Sequence, residues 1–190
     1  AAKLGASNTH FVTPNGLDGT DKDGRHETTA QDLAKIMARC IKNQQFLEIT
    51  QAKQHTFTDG SGKRTFTCNN HNALLSTMQG AISGKTGYTS KAGYCYVGAI
   101  KQKNMTMTVS VLASGWPPHK TYKWNDVRKL VQYVTDNYEK REIIADTNNV
   151  KEINVNNGLK QKVPLRTGNP KATFLIKKTD QIKIESILPS

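Results

Sequence analysis

No stretch of the 190 residues approaches the roughly 20 apolar residues needed to cross a bilayer as a helix. With 36% hydrophobic residues and a mean hydropathy of −0.61, a helical membrane span within the sequence is excluded. Cysteine is scarce. Cys40, Cys68 and Cys95 lie far apart and form no Cys-x-x-Cys pair, which argues against both a zinc site and a disulfide framework. They read as three small buried apolar side chains and leave the redox compartment open. Acidic residues are few as well: 15 Asp+Glu face 27 Lys+Arg, for a formal net charge of +12. That balance suits polyanionic surroundings such as nucleic acid, anionic lipid headgroups or an acidic cell-wall polymer. Residues 1–140 carry 18 basic against 10 acidic side chains, and residues 141–190 carry 9 against 5. The excess is therefore spread over the chain, with no Arg-rich arm and no basic stripe interleaved with aromatics. A dedicated nucleic-acid binder is not expected.

What is present is punctuated by turns. Ala1-Ala2-Lys3-Leu4-Gly5 reads as the last turn of a helix with Gly5 at its left-handed cap, so a preceding segment is expected. Thr13-Pro14-Asn15-Gly16 and the polar run from Asp18 to Gly24 form a long loop. Its acidic residues fail as a calcium loop. With Gly24 in the glycine slot, the first ligand position is Gly19 and the twelfth is Ala30. A helix follows, opened by the capping box Thr29-x-x-Asp32 and carrying the stripe Leu33, Ile36, Met37, Cys40 and Ile41. Val127, Leu130, Val131, Val134 and Tyr138 mark a second helix, with Asn125 or Asp126 near its start.

Between these helices the period changes to two. Met105, Met107, Val109 and Val111 alternate with Thr106, Thr108, Ser110 and Leu112, and residues 94–100 read as the partner strand, joined through Lys101-Gln102-Lys103-Asn104. A smaller hairpin is read at residues 56–58 and 64–68 around Asp59-Gly60-Ser61-Gly62. Strands joined by hairpins, with helices interspersed, argue for an α+β fold: an antiparallel sheet with packed helices. Past Arg141 the helical period disappears. Ile153 and Val155 precede the turn Asn156-Asn157-Gly158, followed by Leu159, Val163 and Leu165, then residues 173–176 and 182–184. Residues 141–190 are read as a separate small all-β domain.

The string Gln79-Gly80-Ala81-Ile82-Ser83-Gly84-Lys85-Thr86-Gly87-Tyr88 resembles a phosphate-binding loop, but the spacing fails. A Walker loop needs glycine five residues before Gly84, where Gln79 stands. Gly87, Tyr88, Thr89 and Ser90 are also poor openers for the helix such a loop requires. A different chemistry wants Lys-Thr-Gly. In active-serine acyl transfer, an ammonium on a strand edge supplies fixed positive charge beside the nucleophile. A threonine hydroxyl donates to a substrate carboxylate, and a glycine lets the substrate backbone approach the strand.

Three strings carry a resemblance to a known family. Gly84-Lys85-Thr86-Gly87-Tyr88-Thr89-Ser90-Lys91-Ala92-Gly93-Tyr94-Cys95 closely resembles the D-alanyl-D-alanine carboxypeptidases, the low-molecular-mass penicillin-binding proteins. Asn8-Thr9-His10-Phe11 with Pro14, Gly16 and Leu17 resembles a second segment of that family. His26 before Thr29-Ala30-Gln31-Asp32-Leu33-Ala34 resembles a third. The resemblance implies that residues 1–140 are part of a β-lactamase/transpeptidase-like domain. It implies that Lys85 is catalytic, that Thr86 and Gly87 bind substrate, and that the backbone N–H of Tyr88 is an oxyanion-hole donor. Lys123 stands where some relatives have an arginine near the substrate carboxylate; a solvated lysine at a helix start is the competing reading. His26 is expected to support the helix cap and not to catalyse.

The nucleophile is missing. No serine is followed three residues later by lysine, and no Ser-x-Asn or Tyr-x-Asn occurs. In the family both motifs lie upstream of the Asn8-Thr9-His10-Phe11 segment, so the N-terminal portion of the same protein is the expected partner. The resemblance further implies peptidoglycan pentapeptide and β-lactams as ligands, no metal or organic cofactor, no nucleic acid and an extracytoplasmic setting. It implies membrane contact only through an anchor outside these residues. A non-catalytic wall-binding relative and a basic interaction module are the alternatives.

Overall fold

The computed structural model describes residues 1–144, 152–164 and 171–185. A 3-10 turn at Ala2–Leu4 ends on Gly5 in the left-handed region (φ 66°). Two short strands follow, β1 (Thr20–Asp21) and β2 (Gly24–Arg25), then helices α1 (Ala30–Cys40) and α2 (Gln44–Gln51). Strands β3 (Gln54–Thr58) and β4 (Thr65–Asn69) form a hairpin, and a single turn α3 (Leu74–Thr77) precedes the main sheet. That sheet is an antiparallel meander of β5 (Ala81–Thr89), β6 (Gly93–Gln102) and β7 (Met105–Val111), ordered β5-β6-β7. Helix α4 (Tyr122–Asn137) leads to β8 (Tyr138–Ile144), β9 (Ile153–Asn154), β10 (Lys162–Val163) and β11 (Lys171–Lys177). Contacts divide the chain into two units, Ala1–Thr135 and Asp136–Ser190.

In the first unit the meander is the frame. β6 and β7 are joined by the two-residue turn Lys103-Asn104, both residues at positive φ (46° and 60°), the geometry that follows the right-handed twist of paired strands. Gly80 just before β5 has φ 85°, and a Cβ there would lie 2.1 Å from the Lys101 carbonyl oxygen, so no other residue fits. α1 packs on β6 and β7, and α2 packs on β5. The core gathers Leu74, Tyr96, Ile100, Val109, Val127 and Val131, with Trp124 and Met107 at its margin. Each buried Leu, Ile or Val here contributes roughly 1.5–3 kcal/mol.

Several local expectations change. Thr29 caps α1 by accepting from the Asp32 N–H, but the other half of the box is absent. The Asp32 carboxylate turns away and accepts from the Asn8 N–H (2.8 Å) and the Thr9 hydroxyl (3.0 Å). A tertiary clamp has replaced a local cap. His26 does not serve the cap either. Its Nδ1 accepts from the N–H groups of Val12 (2.9 Å) and Thr13 (3.1 Å), so it holds the loop before β1. α2, capped by Asn43, was not foreseen. The buried face of α4 is Lys123, Val127, Val131 and Thr135, while Leu130 is exposed and Tyr138 begins β8. Of the cysteines, Cys68 is exposed and Cys40 and Cys95 are half-buried, so none is a fully buried apolar filler.

Asp32 is 1% exposed. Burial alone would raise its pKa, but the Thr9 hydroxyl, the Asn8 N–H and the Lys35 ammonium outweigh it and hold the carboxyl below its ordinary 3.8. A depressed folded pKa means stability that is present above the ordinary value and lost as pH falls through the lower one. Asp32→Asn is therefore expected to lower the Tm of the full-length protein by several degrees near neutrality. The gap between variant and parent should close as pH is lowered below the ordinary 3.8 and through the depressed folded value. Thermal unfolding at several acid pH values checks it, and a gap that persists would count against the clamp.

The second unit is described by itself. β8 and β11 pair antiparallel over seven positions, from Tyr138 opposite Lys177 to Ile144 opposite Lys171. β9 and β10 pair over two. Residues 182–184, expected to be strand-like, are irregular. Leu165 lies outside the described residues. Among the described residues, no helix is long and apolar enough to cross a membrane.

Candidate active site

β5 carries Gly84-Lys85-Thr86-Gly87-Tyr88 as extended strand, with β6 along one side and, among the described residues, no strand along the other. Thr86 lies inside β5 and opens no helix, so the geometry of a phosphate loop is absent. A cleft of about 680 Å³ lies along the strand. Lys85, Thr86, Gly87 and Tyr88 line it, together with Lys123 and residues 14–17. The structure thus brings together every residue singled out from the Lys-Thr-Gly string and adds the turn that follows Thr13.

The local chemistry keeps these groups in place. Ser83, fully buried, shares a hydrogen bond with Thr50 of α2 (2.9 Å), so β5 is pinned to α2 directly beneath the motif. The far end of the strand is held from two sides. Thr89 donates to the Asp18 carboxylate (3.2 Å), and Trp116 donates its indole N–H to the Ser90 carbonyl (2.8 Å). The lining at residues 14–17 is a hydrogen-bonded turn: the Thr13 hydroxyl donates to the Leu17 carbonyl, and the Leu17 N–H donates to Asn15 Oδ1. The Lys85 ammonium donates to the Thr86 carbonyl (2.5 Å), leaving two donors free.

Two glycines of β5 are used differently. Gly84 sits opposite Gly98 of β6, and the Tyr96 ring lies across both. A Cβ on Gly84 would be 2.3 Å from the Tyr96 hydroxyl oxygen, and one on Gly98 would be 2.1 Å from it. Tyr96 is 1% exposed, meets Trp124 edge-on, and its phenol is pushed up to about 12 by burial. A Cβ on Gly87, by contrast, would meet nothing within 4 Å. Gly84 serves packing, whereas Gly87 borders open space at the cleft.

Lys123 is the main correction. It is not a solvated lysine at a helix start: it is 6% exposed, on the inner face of α4. Its ammonium donates to the Lys120 carbonyl (2.6 Å) and stands 4.7 Å from the centroids of both the Tyr94 and Trp124 rings. Such cation–π contacts offset part of the cost of burial. Burial lowers its pKa from 10.5, the Lys120 charge lowers it further, and Cys95 acts weakly in the other direction. Tyr94 in turn packs at a tilt against Tyr88 (ring centroids 4.6 Å apart, planes 36° apart), which links the lysine to the strand bearing the motif. Tyr94, Trp124, Lys120 and His71 all line the cleft and were not anticipated as site residues. Tyr94 lay within the recognisable string; His71 and Lys120 carried no periodic or motif signal.

The model of the D-alanyl-D-alanine carboxypeptidase family matches residues 1–115. The D-alanyl-D-alanine carboxypeptidase DacB2 of Mycobacterium tuberculosis is 37% identical over 112 residues, which cover 59% of this chain and 37% of that protein. A D-alanyl-D-alanine carboxypeptidase of a Streptomyces species is 34% identical over 137 residues, covering 70% and 45%. A crystal structure of a D-alanyl-D-alanine carboxypeptidase from M. tuberculosis matches with a TM-score of 0.61 at 33% identity, covering 71% of this chain and 50% of that one. A Streptomyces DD-transpeptidase structure matches at 0.60 and 33%, covering 70% and 49%. The chain thus spans less than half the length of these two curated relatives.

Proposed function

The chain belongs to the D-alanyl-D-alanine carboxypeptidase family, and from that premise we propose that it is the motif-bearing wall of an extracytoplasmic peptidoglycan carboxypeptidase. The complete enzyme removes the terminal D-alanine from stem pentapeptides through a serine acyl-enzyme. The observation that carries this reading is the single cleft shared by Lys85, Thr86, Gly87, Tyr88 and the buried Lys123.

Each group has a role that its placement supports. Thr86 and Lys123 hold the terminal carboxylate, Lys123 through the two N–H donors not given to Lys120. Lys85 supplies positive charge beside the nucleophile. The Tyr88 N–H stabilises the oxyanion, an interaction commonly worth about 3–4 kcal/mol. Gly87 lets the substrate backbone lie against β5. The nucleophilic serine and its lysine come from residues outside these 190, because no serine here has the required spacing. The reaction needs no metal or organic cofactor, and the same site takes β-lactams as acylating analogues. Residues 141–190 are kept as a separate small β domain.

The first unit also offers a place for the partner segment. β7 has no strand on its outer side among the described residues. An apolar groove of about 230 Å³ runs there between Ala30 and Ala34 of α1, Met107 and Val109 of β7, and Leu130 of α4. A strand from the N-terminal portion would satisfy the edge and cover the groove.

The test is acylation. The full-length protein is expected to be labelled by a fluorescent penicillin on one serine and to release D-alanine from a D-Ala-D-Ala peptide. The 190-residue chain alone is expected to do neither. Labelling of the isolated chain would sink the division of labour. A full-length protein that binds peptidoglycan without acylation would favour the wall-binding alternative.

A further inference from the structure

The β3–β4 hairpin stands in solvent on both of its faces. Every residue of β3 is exposed, and in β4 all but Phe66 are. Its base is tied down: the Asn70 side-chain amide donates to the carbonyls of Thr50 and Ala52 at the end of α2 (3.0 Å each). Beyond that base the hairpin holds its own shape. Thr56 and Thr67 share a hydrogen bond across the strands (3.1 Å), and the Asp59 carboxylate closes the turn by accepting from the Ser61 hydroxyl and the Lys63 N–H. A lone two-stranded hairpin buries no core and is marginal in water. What this one offers is a surface.

The two faces differ. The register sets Phe57 opposite Phe66 and His55 opposite Cys68 on one face, and Thr56 opposite Thr67 and Gln54 opposite Asn69 on the other. Phe57 and Phe66 stack with centroids 5.3 Å apart, His55 lies nearly parallel to Phe57 at 6.2 Å, and the Arg64 guanidinium stands 4.9 Å from the Phe66 centroid. Phe57 is still 46% exposed. The charge is one-sided as well. Lys53, Lys63 and Arg64 face one acid, Asp59, whose carboxylate is spent on the turn. Among the described residues none of these three cations has an ion-pair partner. A guanidinium held against a ring is preset for a phosphate or carboxylate, and the rings beside it offer apolar surface. Together they fit a chain that alternates anionic groups with short carbon links. A bilayer fits less well, because the turn at residues 59–62, beyond the rings, is polar and would have to enter first.

We propose that this hairpin docks an anionic wall polymer, a chain of polyol phosphates. Arg64 and Lys63 take phosphate, and Phe57 and Phe66 lie against the carbons between. The surface is distinct from the cleft, whose lining includes no residue of the hairpin, so the proposal goes beyond the carboxypeptidase reading and does not need it. Each contact is exposed, hence modest and screened by salt; a repeating chain gains by offering many equivalent phosphates.

The experiment measures binding of a poly(glycerol phosphate) oligomer to the full-length protein. Binding is expected at low salt and should weaken as salt is added. Lys63→Gln and Arg64→Gln should each raise Kd by about threefold to fivefold, and Phe57→Ser by a similar factor. Lys42→Gln removes the same charge at an exposed position outside the hairpin and should leave Kd within about twofold. All four variants should keep the Tm of the parent and its D-alanine release from a soluble peptide. Absence of binding would overturn the proposal, and so would an equal loss in Lys42→Gln, which would reduce the effect to net charge. Equal or tighter binding to phosphatidylglycerol vesicles, or to a single-stranded oligonucleotide of the same charge, would also overturn it. Cys68, exposed on the ring-bearing face, should react with a thiol reagent in the native full-length protein; its protection would place another segment over the hairpin and sink the proposal. A protein that binds the polymer but neither releases D-alanine nor is acylated by penicillin would support the docking surface and overturn the carboxypeptidase reading alone.

Discussion

Gly87→Ala is expected to leave the Tm of the protein nearly unchanged and to cut penicillin acylation by about 100-fold, the scale of loss when a reacting group is displaced by about 1 Å. Gly84→Ala, three residues earlier on the same strand, is expected to do the reverse. The new methyl at position 87 meets no atom within 4 Å, and the backbone there is not left-handed, so the strand accepts it without strain. That open space is where the substrate backbone is proposed to lie, and a methyl group would hold it off β5. At position 84 the methyl would sit 2.3 Å from the Tyr96 hydroxyl oxygen and 2.7 Å from Asn72 Nδ2. Tyr96 has nowhere to go, being 1% exposed and packed edge-on to Trp124 at 5.2 Å.

The cost at Gly84 is that of overpacking a core, about 1–3 kcal/mol, and it appears as a lowered Tm. Acylation of the folded fraction should be largely retained. Gly98→Ala should repeat the stability loss, since the same hydroxyl lies 2.1 Å from a Cβ there. Replacing Tyr96 by Phe together with Gly84→Ala should recover only part of it, because the shortest contact is with the hydroxyl oxygen while a Tyr96 ring carbon and Asn72 Nδ2 both remain at 2.7 Å. Comparable Tm losses at positions 84 and 87 would refute the assignment of one glycine to packing and the other to the site.

This contrast was hidden in the string, where the two glycines look alike. Lys-Thr-Gly is legible because its chemistry is local to three residues. The role of Gly84 depends on Tyr96, which reaches it only through the register of β5 against β6. The β6–β7 hairpin was readable, since period-two alternation and a polar connection through residues 101–104 are local properties; the pairing of β5 with β6 that completes the meander was not. The face of α4 was read out of phase for a definite reason. Its buried ridge is 123, 127, 131 and 135, with a lysine and a threonine at the ends. A search for apolar residues shifts toward Leu130, which is 45% exposed beside the open groove. Asp32 was assigned a local cap partner because sequence rules see only near neighbours; its bonds run to Asn8 and Thr9, 24 and 23 residues away.

Lys123 carries the second large effect. Lys123→Met should raise kcat/KM for no substrate and lower it for D-Ala-D-Ala peptides by roughly 10- to 100-fold, the loss expected from a charge-assisted hydrogen bond of about 1.5–3 kcal/mol. The same variant should be no less stable than the parent and is expected to be more so, because it removes a buried charge and keeps apolar volume over Tyr94 and Trp124. The pH dependence separates the two roles. The folded pKa of Lys123 is lowered, first by burial and then by Lys120. Between that value and the ordinary 10.5, the unfolded chain binds the proton more tightly, so this group's contribution makes stability rise with pH. The carboxylate binding proposed for Lys123 needs the proton and is expected to fall through the same window. KM should therefore rise on the alkaline side while Tm gains, two opposite slopes from one ammonium. Lys123→Arg, which stays charged throughout, should abolish the alkaline rise in KM. An alkaline limb that survives Lys123→Arg would place the titrating group elsewhere in the cleft and remove Lys123 from the carboxylate site.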